Sequence, residues 1–194
     1  MEWNATLHIN FVDFRKAFDS VHRDTLWKIL ASYGIPDKIT TLISLFYRNF
    51  ECSIIMGSKI SKTFPVNSGV RQGCILSPML FLITIDWVMR QTTADKARGI
   101  QWTLLSHLED LDFADDLALL ASRNEHLQKK TDRLVNFASQ TGLEINTAKT
   151  KVMSINTANP PPITIKDKEL DFVEDFTYLG SLISKEHERT FSQG

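Results

Sequence analysis

Phe113-Ala114-Asp115-Asp116-Leu117-Ala118-Leu119-Leu120-Ala121 is the stretch that decides the fold, because two adjacent carboxylates interrupt apolar sequence. Strand-like runs separated by two residues are typical of a β-hairpin, and the Asp115-Asp116 pair is predicted to form its turn. Adjacent like charges repel each other, and a divalent cation held by carboxylates and substrate phosphates removes that repulsion. A lone Asp-Asp pair is more often an ordinary polar turn, so other residues have to distinguish the two interpretations.

The composition predicts one domain, or one domain with an appendage. The 194 residues are 43% hydrophobic and carry a net charge of −1, so local basic groups or other parts of the protein would have to hold any nucleic acid. Cys52 and Cys74 match no metal-binding pattern and indicate free thiols in an intracellular protein, of the cytoplasm or the nucleus. The most apolar run, Met79 to Val88, is too short to span a membrane, and no secretory signal is predicted.

Hydrophobic periodicity predicts an α+β fold, in which an antiparallel sheet carries helices on one face. Leu7 to Phe14 is apolar on both faces, as expected for a central strand. Helices are predicted from about Asp24 to Tyr33, from an N-cap at Asp37, from an N-cap at Ser77 to about Arg90, and after Ser122. The helix after Ser77 is apolar nearly all round and is therefore expected to be buried. Further strands are predicted at 51–56 and 61–66 as a hairpin, and at 100–107, 151–155, 163–166 and 175–183.

Three carboxylates are predicted to meet at one edge of this sheet. Asp13 ends a hydrophobic strand face, an unfavourable place for a carboxylate without a partner. If this strand lies beside the hairpin, Asp13 joins Asp115 and Asp116, which is the arrangement needed for two-metal phosphoryl transfer. A calcium-binding loop does not fit, because Asp110, Asp112 and the following residues lack the required glycine and terminal glutamate.

Five sequence blocks resemble the palm motifs of reverse transcriptases, in particular those of non-LTR (LINE-type) retrotransposons. They occur in the family's order and span nearly the whole chain. The blocks are Asn10-Phe11-Val12-Asp13-Phe14-Arg15-Lys16-Ala17-Phe18-Asp19, Gly69-Val70-Arg71-Gln72-Gly73-Cys74-Ile75-Leu76-Ser77-Pro78, Phe113-Ala114-Asp115-Asp116, Gly142-Leu143-Glu144-Ile145-Asn146-Thr147-Ala148-Lys149-Thr150 and Phe176-Thr177-Tyr178-Leu179-Gly180-Ser181.

The resemblance implies a polymerase palm that extends a DNA primer with dNTPs on an RNA template. Asp13, Asp115 and Asp116 would bind two Mg²⁺ ions, with Mn²⁺ as an alternative, and the carbonyl of Phe14 would be a further ligand. Lys149 would be the general acid for the pyrophosphate leaving group. A lysine before a strand is also commonly a solvated surface charge.

The resemblance also assigns substrate contacts. Phe18 would be a steric gate that excludes the 2′-hydroxyl of a ribonucleotide, although a phenylalanine after a strand is equally often part of the core. Arg71, Gln72 and Gly73 would line the nucleotide and template pocket, where glycine allows close backbone approach. A glycine turn before a helix is the structural alternative for this loop. The turn at Leu179 and Gly180 would form the primer grip.

The expected organisation is a palm at residues 1–158 that lacks the upstream fingers, a primer-grip hairpin at 159–184 and a polar tail at 185–194. The chain would then be a fragment of a longer polyprotein with fingers, thumb and endonuclease parts. One alternative is a catalytically inactive, truncated remnant that at most binds nucleic acid. Another is an RNA-dependent RNA polymerase palm, which Ala114 and Phe18 disfavour because that family favours Gly-Asp-Asp and a smaller gate residue.

Overall fold

The computed structural model describes residues 6–94, 99–101, 103 and 106–185. In chain order its helices are α1 (Ala17–Ser20), α2 (Arg23–Ser32), α3 (Asp37–Leu45), α4 (Ser77–Thr92) and α5 (Asn124–Gln140). Its strands are β1 (Leu7–Val12), β2 (Glu51–Cys52), β3 (Ile55–Met56), β4 (Lys59–Ile60), β5 (Phe64–Pro65), β6 (Ile100–Gln101), β7 (His107–Leu108), β8 (Asp110–Phe113), β9 (Asp116–Ala121), β10 (Lys151–Ile155), β11 (Thr164–Ile165), β12 (Lys168–Glu169), β13 (Asp171–Phe172), β14 (Asp175–Tyr178) and β15 (Ser181–Ser184).

A five-stranded sheet in the order β13-β10-β1-β9-β8 is the frame of the fold. β1 pairs antiparallel with β9 on one side and with β10 on the other, which confirms the prediction of a central strand. β8 completes the hairpin with β9 and forms one edge, while β13 runs parallel to β10 at the other. The edge strand β8 thus carries one arm of the acidic hairpin.

The two faces of the sheet pack against different partners, because side chains alternate along each strand. One face contributes Val12, Leu117, Leu119 and Val152 to the main core, which the apolar sides of α2, α4 and α5 complete. The opposite face carries Ile9, Phe11, Ala118, Leu120 and Met153, and the β14–β15 hairpin packs on it through Phe176 and Ile183. The predicted α+β sheet with helices on one face is therefore confirmed.

The helices lie where the sequence pattern predicts them, but the N-cap residues of α3 and α4 and the burial of α4 differ from the prediction. Pro36 and Leu76, rather than Asp37 and Ser77, are the N-cap residues of α3 and α4. The prediction that α4 is buried all round is wrong, since Met79 and Leu82 are each 48% exposed.

Two predicted strands are hairpins instead. The single strand predicted at 100–107 is wrong, because β6 (Ile100–Gln101) and β7 (His107–Leu108) pair antiparallel with each other. Residues 175–183 divide into β14 and β15 around the turn at Leu179 and Gly180.

The expected polar tail from residue 186 onward lies outside the described residues. In the described part of the chain, no helix has the length and apolar character needed to cross a membrane.

Candidate active site

The acidic hairpin turns one residue earlier than its sequence suggested. Phe113 of β8 and Asp116 of β9 form the last strand pair, so Ala114 and Asp115 make the two-residue turn. Ala114 has a φ of 57°, which the turn imposes on a residue with a Cβ. The prediction of an Asp115-Asp116 turn is therefore wrong in register, and Asp116 is instead the first residue of a buried strand. As a result, the backbone ladder fixes Asp116 while Asp115 lies at the tip.

Asp13 lies opposite Asp116. The antiparallel β1–β9 pairing runs from His8 and Ala121 to Val12 and Leu117, and the next position of that register is Asp13 and Asp116. Directly opposed residues in antiparallel strands have Cα atoms about 4.5–5.5 Å apart. Residues about a hundred positions apart in sequence thus place their carboxylates at the same edge of the sheet.

The pKa of Asp116 reflects its proximity to the other two carboxylates. Burial raises the pKa of the Asp116 carboxyl, and the negative charges of Asp115 and Asp13 raise that pKa further. The Oδ2 atom of Asp13 is buried without a hydrogen-bond partner, while its Oδ1 lies 3.9 Å from the Nζ of Lys149. The site therefore concentrates negative charge that the protein compensates only partly.

A cavity of about 220 Å³ opens beside these carboxylates. Its lining includes Asp13, Asp116 and Lys149 together with Phe176 and Tyr178 of β14. Among the described residues, no three His, Cys, Asp or Glu side chains form a group that could by itself hold a metal ion. The carboxylates fit a hard cation that takes the rest of its ligands from substrate phosphates and water, which is the usual way that Mg²⁺ is bound.

The segment after Gly142 is joined to the end of β1. The amide of Asn146 donates to the carbonyl of Asp13 at 2.8 Å, and the amide of Arg15 donates to the carbonyl of Glu144 at 2.8 Å. Phe14 is buried and forms an isolated bridge with Ile145. These bonds bring Lys149, whose side chain is 71% exposed, to the mouth of a second cavity of about 670 Å³, which Phe14 and Asn146 also line.

Phe18 and the glycine-rich loop lie against each other. The half-buried Phe18 ring stacks on Phe81 of α4 with ring centroids 4.3 Å apart. The amide of Val70 donates to the Phe18 carbonyl at 2.8 Å, and the Gln72 side-chain amide donates to Asp19 at 3.1 Å. The loop is therefore held next to Phe18 and Asp19, and the stacking on Phe81 gives Phe18 a packing role.

Arg71 and Gly73 differ in their surroundings. The Arg71 guanidinium donates to the Phe46 carbonyl and lies 4.0 Å from the centroid of the Phe50 ring, so Arg71 holds the loop against the region after α3. Gly73 has a φ of 80°, and a Cβ there would meet open space. The backbone at Gly73 is thus accessible, which agrees with close approach of a ligand, whereas the Arg71 guanidinium already has protein partners.

The β14–β15 turn places Leu179 and Gly180 at an exposed tip. Both residues have a positive φ, 49° and 79° respectively. A bulky residue rarely adopts this conformation, and such strain concentrates at functional positions. Tyr178, immediately before the turn, donates its hydroxyl towards the carbonyls of Leu111 and Asp116, at 3.1 and 3.2 Å.

Two features of the structure were absent from the sequence predictions. Besides the Tyr178 contacts, a buried ion pair joins Lys130 of α5 to Glu109 at 2.5 Å. The Nζ of Lys130 also donates to the carbonyls of Glu109 and Leu120, next to the acidic hairpin. The spacing of Lys130 from Leu127 and Leu134 puts this lysine on the apolar side of the helix, and that signal could have identified it.

The sequence matches the family described as reverse transcriptase (RNA-dependent DNA polymerase) over residues 3–183. The chain belongs to the reverse transcriptase family. It is 28% identical to the Pol polyprotein of the type-1 retrotransposable element R2 of Popillia japonica over 92% of this chain. It is 27% identical to that of the type-2 element R2DM of Drosophila melanogaster over 86% of this chain. These matches confirm the resemblance to the reverse transcriptases of non-LTR retrotransposons.

Solved structures support the same fold. The apo telomerase of Candida tropicalis superposes with a TM-score of 0.67 at 17% identity, over 93% of this reverse transcriptase chain and 34% of that chain. The telomerase of the same organism in complex with a fragment of telomeric RNA gives a TM-score of 0.60. The chain spans only 31% of the Popillia polyprotein and 15% of the Drosophila polyprotein.

Proposed function

We propose that this chain is the palm and primer-grip part of a non-LTR retrotransposon reverse transcriptase that adds dNTPs to a DNA primer on an RNA template. In this reaction the primer 3′-hydroxyl attacks the α-phosphate of the dNTP, a new phosphorus–oxygen bond forms and pyrophosphate leaves. The observation that supports the proposal is the β1–β9 ladder, whose last pair is Val12 and Leu117, so that Asp13 and Asp116 follow at the same edge of the sheet, next to the turn with Asp115.

Asp13, Asp115 and Asp116 would hold two Mg²⁺ ions, or Mn²⁺, together with the carbonyl of Phe14 and substrate phosphates. When bound, such a pair activates the attacking oxygen and neutralises charge on the leaving phosphates. Two observations support this assignment: burial and the charges of Asp115 and Asp13 raise the pKa of Asp116, and Oδ2 of Asp13 is buried without a hydrogen-bond partner.

Lys149 is the proposed proton donor to the departing pyrophosphate. Its ammonium group lies 3.9 Å from Oδ1 of Asp13 and lines both cavities beside the carboxylates. An exposed ammonium group can reach a phosphate oxygen in the larger cavity and give up a proton there.

The remaining proposed contacts surround this centre. Phe18 would exclude the 2′-hydroxyl, while Gln72 and Gly73, with Arg71 as their anchor, would form the pocket for nucleotide and template. Leu179 and Gly180 would hold the primer end. The fingers, thumb and endonuclease would come from other parts of a longer polyprotein, which agrees with the small share of each relative that the chain spans.

Primer extension on an oligo(dT)–poly(rA) substrate tests the proposal. We expect Mg²⁺-dependent incorporation of dTTP that is lost in Asp115→Asn and retained in Asp37→Asn, a matched change at the first turn of α3. Incorporation that survives Asp115→Asn would contradict the assignment. Absence of extension by the unmodified chain would contradict autonomous activity and favour the inactive remnant, whereas a preference for rNTPs would favour an RNA polymerase.

A further inference from the structure

The β14–β15 hairpin lies on the five-stranded sheet without belonging to it. Its two strands pair with each other as a separate two-stranded sheet. The nearest backbone bond to the large sheet, from the Val173 amide to the Val152 carbonyl at 2.8 Å, precedes β14 and is remote from the turn. Side-chain contacts must therefore set the distance between the turn and the sheet.

Two aromatic residues of β14 make those contacts. The ring of Phe176 stacks on Phe11 with centroids 4.1 Å apart and an interplanar angle of 13°. Phe11 lies two residues before Asp13 and on the same side of β1. The hydroxyl of Tyr178 lies between the carbonyls of Leu111 and Asp116, one from each strand of the acidic hairpin. The stacking contact thus connects β14 to β1, and the hydroxyl of Tyr178 connects it to β8 and β9.

We propose that Tyr178 is a positioning residue whose hydroxyl ties the backbone at Asp116 to the Leu179–Gly180 turn, so that the turn and the acidic hairpin move as one unit. This inference rests on the proposed function, since a polymerase has to keep a primer end and its carboxylates at a fixed separation. Tyr178 directly precedes the turn, so a bond at its hydroxyl restrains both features at once.

The Tyr178 hydroxyl is the donor in both contacts, because a backbone carbonyl oxygen can only accept a hydrogen bond. The carbonyl of Asp116 cannot shift away from Tyr178 without losing this bond, and the attached carboxylate moves with the carbonyl.

Hydrogen–deuterium exchange on the full chain tests the coupling without requiring activity. Tyr178→Phe keeps the ring and removes the hydroxyl. We expect amides of residues 113–117 and 178–181 to exchange faster by the same factor, about fivefold for one neutral hydrogen bond. Tyr33→Phe is the matched control, because it removes a hydroxyl that donates to Asp86 at 2.5 Å and should leave both segments unchanged. Unchanged exchange in Tyr178→Phe, acceleration of one segment alone or uniform acceleration of the whole chain would overturn the proposal.

Steady-state kinetics distinguishes positioning from simple support of the fold. In primer extension, Tyr178→Phe should lower kcat by about fivefold or more with an unchanged KM for dNTP, because the hydroxyl contacts the hairpin backbone and not the nucleotide. A raised KM for dNTP with unchanged kcat would contradict the positioning role. If the unmodified chain extends no primer, its autonomous activity is contradicted, and the exchange experiment still decides whether turn and hairpin are coupled.

Discussion

The Phe18 ring stacks on Phe81 with an interplanar angle of 20°, which joins the residue proposed to check the sugar to a fully buried side chain of α4. The ring is therefore held in place by the core rather than by a mobile loop. A steric gate needs this support, because a ring that could swing aside would admit a 2′-hydroxyl.

Phe18→Val should relax discrimination between dNTPs and rNTPs. The smaller side chain leaves room for the 2′-hydroxyl, so the ratio of rNTP to dNTP incorporation should rise by at least tenfold, which corresponds to about 1.4 kcal/mol. The loss of half-buried ring contacts should also lower the free energy of unfolding by about 1–2 kcal/mol. Phe137→Val is the control, since Phe137 is a half-buried ring in edge contact with Trp87 and is remote from the site. An equal change of selectivity in both variants would refute the gate.

Asp116→Asn should abolish primer extension and yet stabilise the fold at neutral pH. The folded-state pKa of Asp116 is raised, so its ionised form is disfavoured by folding, and that cost appears as pH rises through the raised pKa. Removing the charge should therefore raise stability by a few tenths to about 1 kcal/mol at pH 7, with no gain below about pH 4. Thermal unfolding from pH 3 to pH 8 measures the effect.

Asp171→Asn is a control of opposite sign for that pH series. The hydrogen bond and the charge of Lys151 lower the pKa of Asp171, so this carboxylate supports the fold above its unfolded pKa and loses that effect in acid. The Asp171→Asn variant should be less stable than the unmodified chain at pH 7 and equal to it at low pH.

For the Asp116→Asn variant, destabilisation at pH 7 would show that the acidic hairpin is not under electrostatic strain.

Lys130→Met should be strongly destabilising. It leaves the buried Glu109 without its ion-pair partner at 2.5 Å, and removing one member of such a pair costs about 3–5 kcal/mol. The adjacent residue provides the control Lys129→Met, which should change stability by less than about 0.5 kcal/mol. The double variant Lys130→Met with Glu109→Gln should recover part of the loss in chemical denaturation, because no buried charge is then left unpaired. Equal stability of the Lys129→Met and Lys130→Met variants would exclude a structural role for the pair.

Two glycines with the same backbone conformation provide a matched pair. Gly34 and Gly69 both have a φ of +78°, but a Cβ on Gly34 meets open space, whereas on Gly69 it lies 2.6 Å from the Asp19 carbonyl oxygen. Gly34→Ala should cost about 1–2 kcal/mol for its left-handed conformation alone. Gly69→Ala should cost about 1–3 kcal/mol more, because the loop must move away from Asp19. Urea denaturation of the two variants compares them, and equal costs would show that this close contact is not required.

The sequence predicted the parts of the fold that depend on local pattern. Alternation identified β1 as a central strand, and helical spacing located α2 and α5 to within a few residues. Asp13, Asp115 and Asp116 stood out because charges between apolar runs are conspicuous, and their roles stay predictions. Their predicted position at one edge of the sheet followed from the strand ends, and the β1–β9 ladder brings Asp13 and Asp116 to the same edge.

What the sequence did not predict depends on contacts between distant residues. The turn register follows from pairing of Phe113 with Asp116, and periodicity cannot choose between two turns that differ by one position. Lys130 was missed because a single lysine on an apolar helix face finds its partner only in the folded chain. The Tyr178 contacts connect residues more than 60 positions apart, so their geometry appears only once β14 has packed on the sheet.

Because β1 lies in the middle of the sheet, the backbone holds Asp13 and Asp115 in different ways. Asp13 follows a strand that is hydrogen-bonded on both sides, while Asp115 lies at a tip beside the edge strand β8. One carboxylate thus follows a strand that is bonded on both sides, and another lies at the tip of a hairpin. Under the proposed function, a substrate that drew the carboxylates together would move the hairpin tip more easily than the centre of the sheet, so the accuracy of the site would depend on what holds that tip.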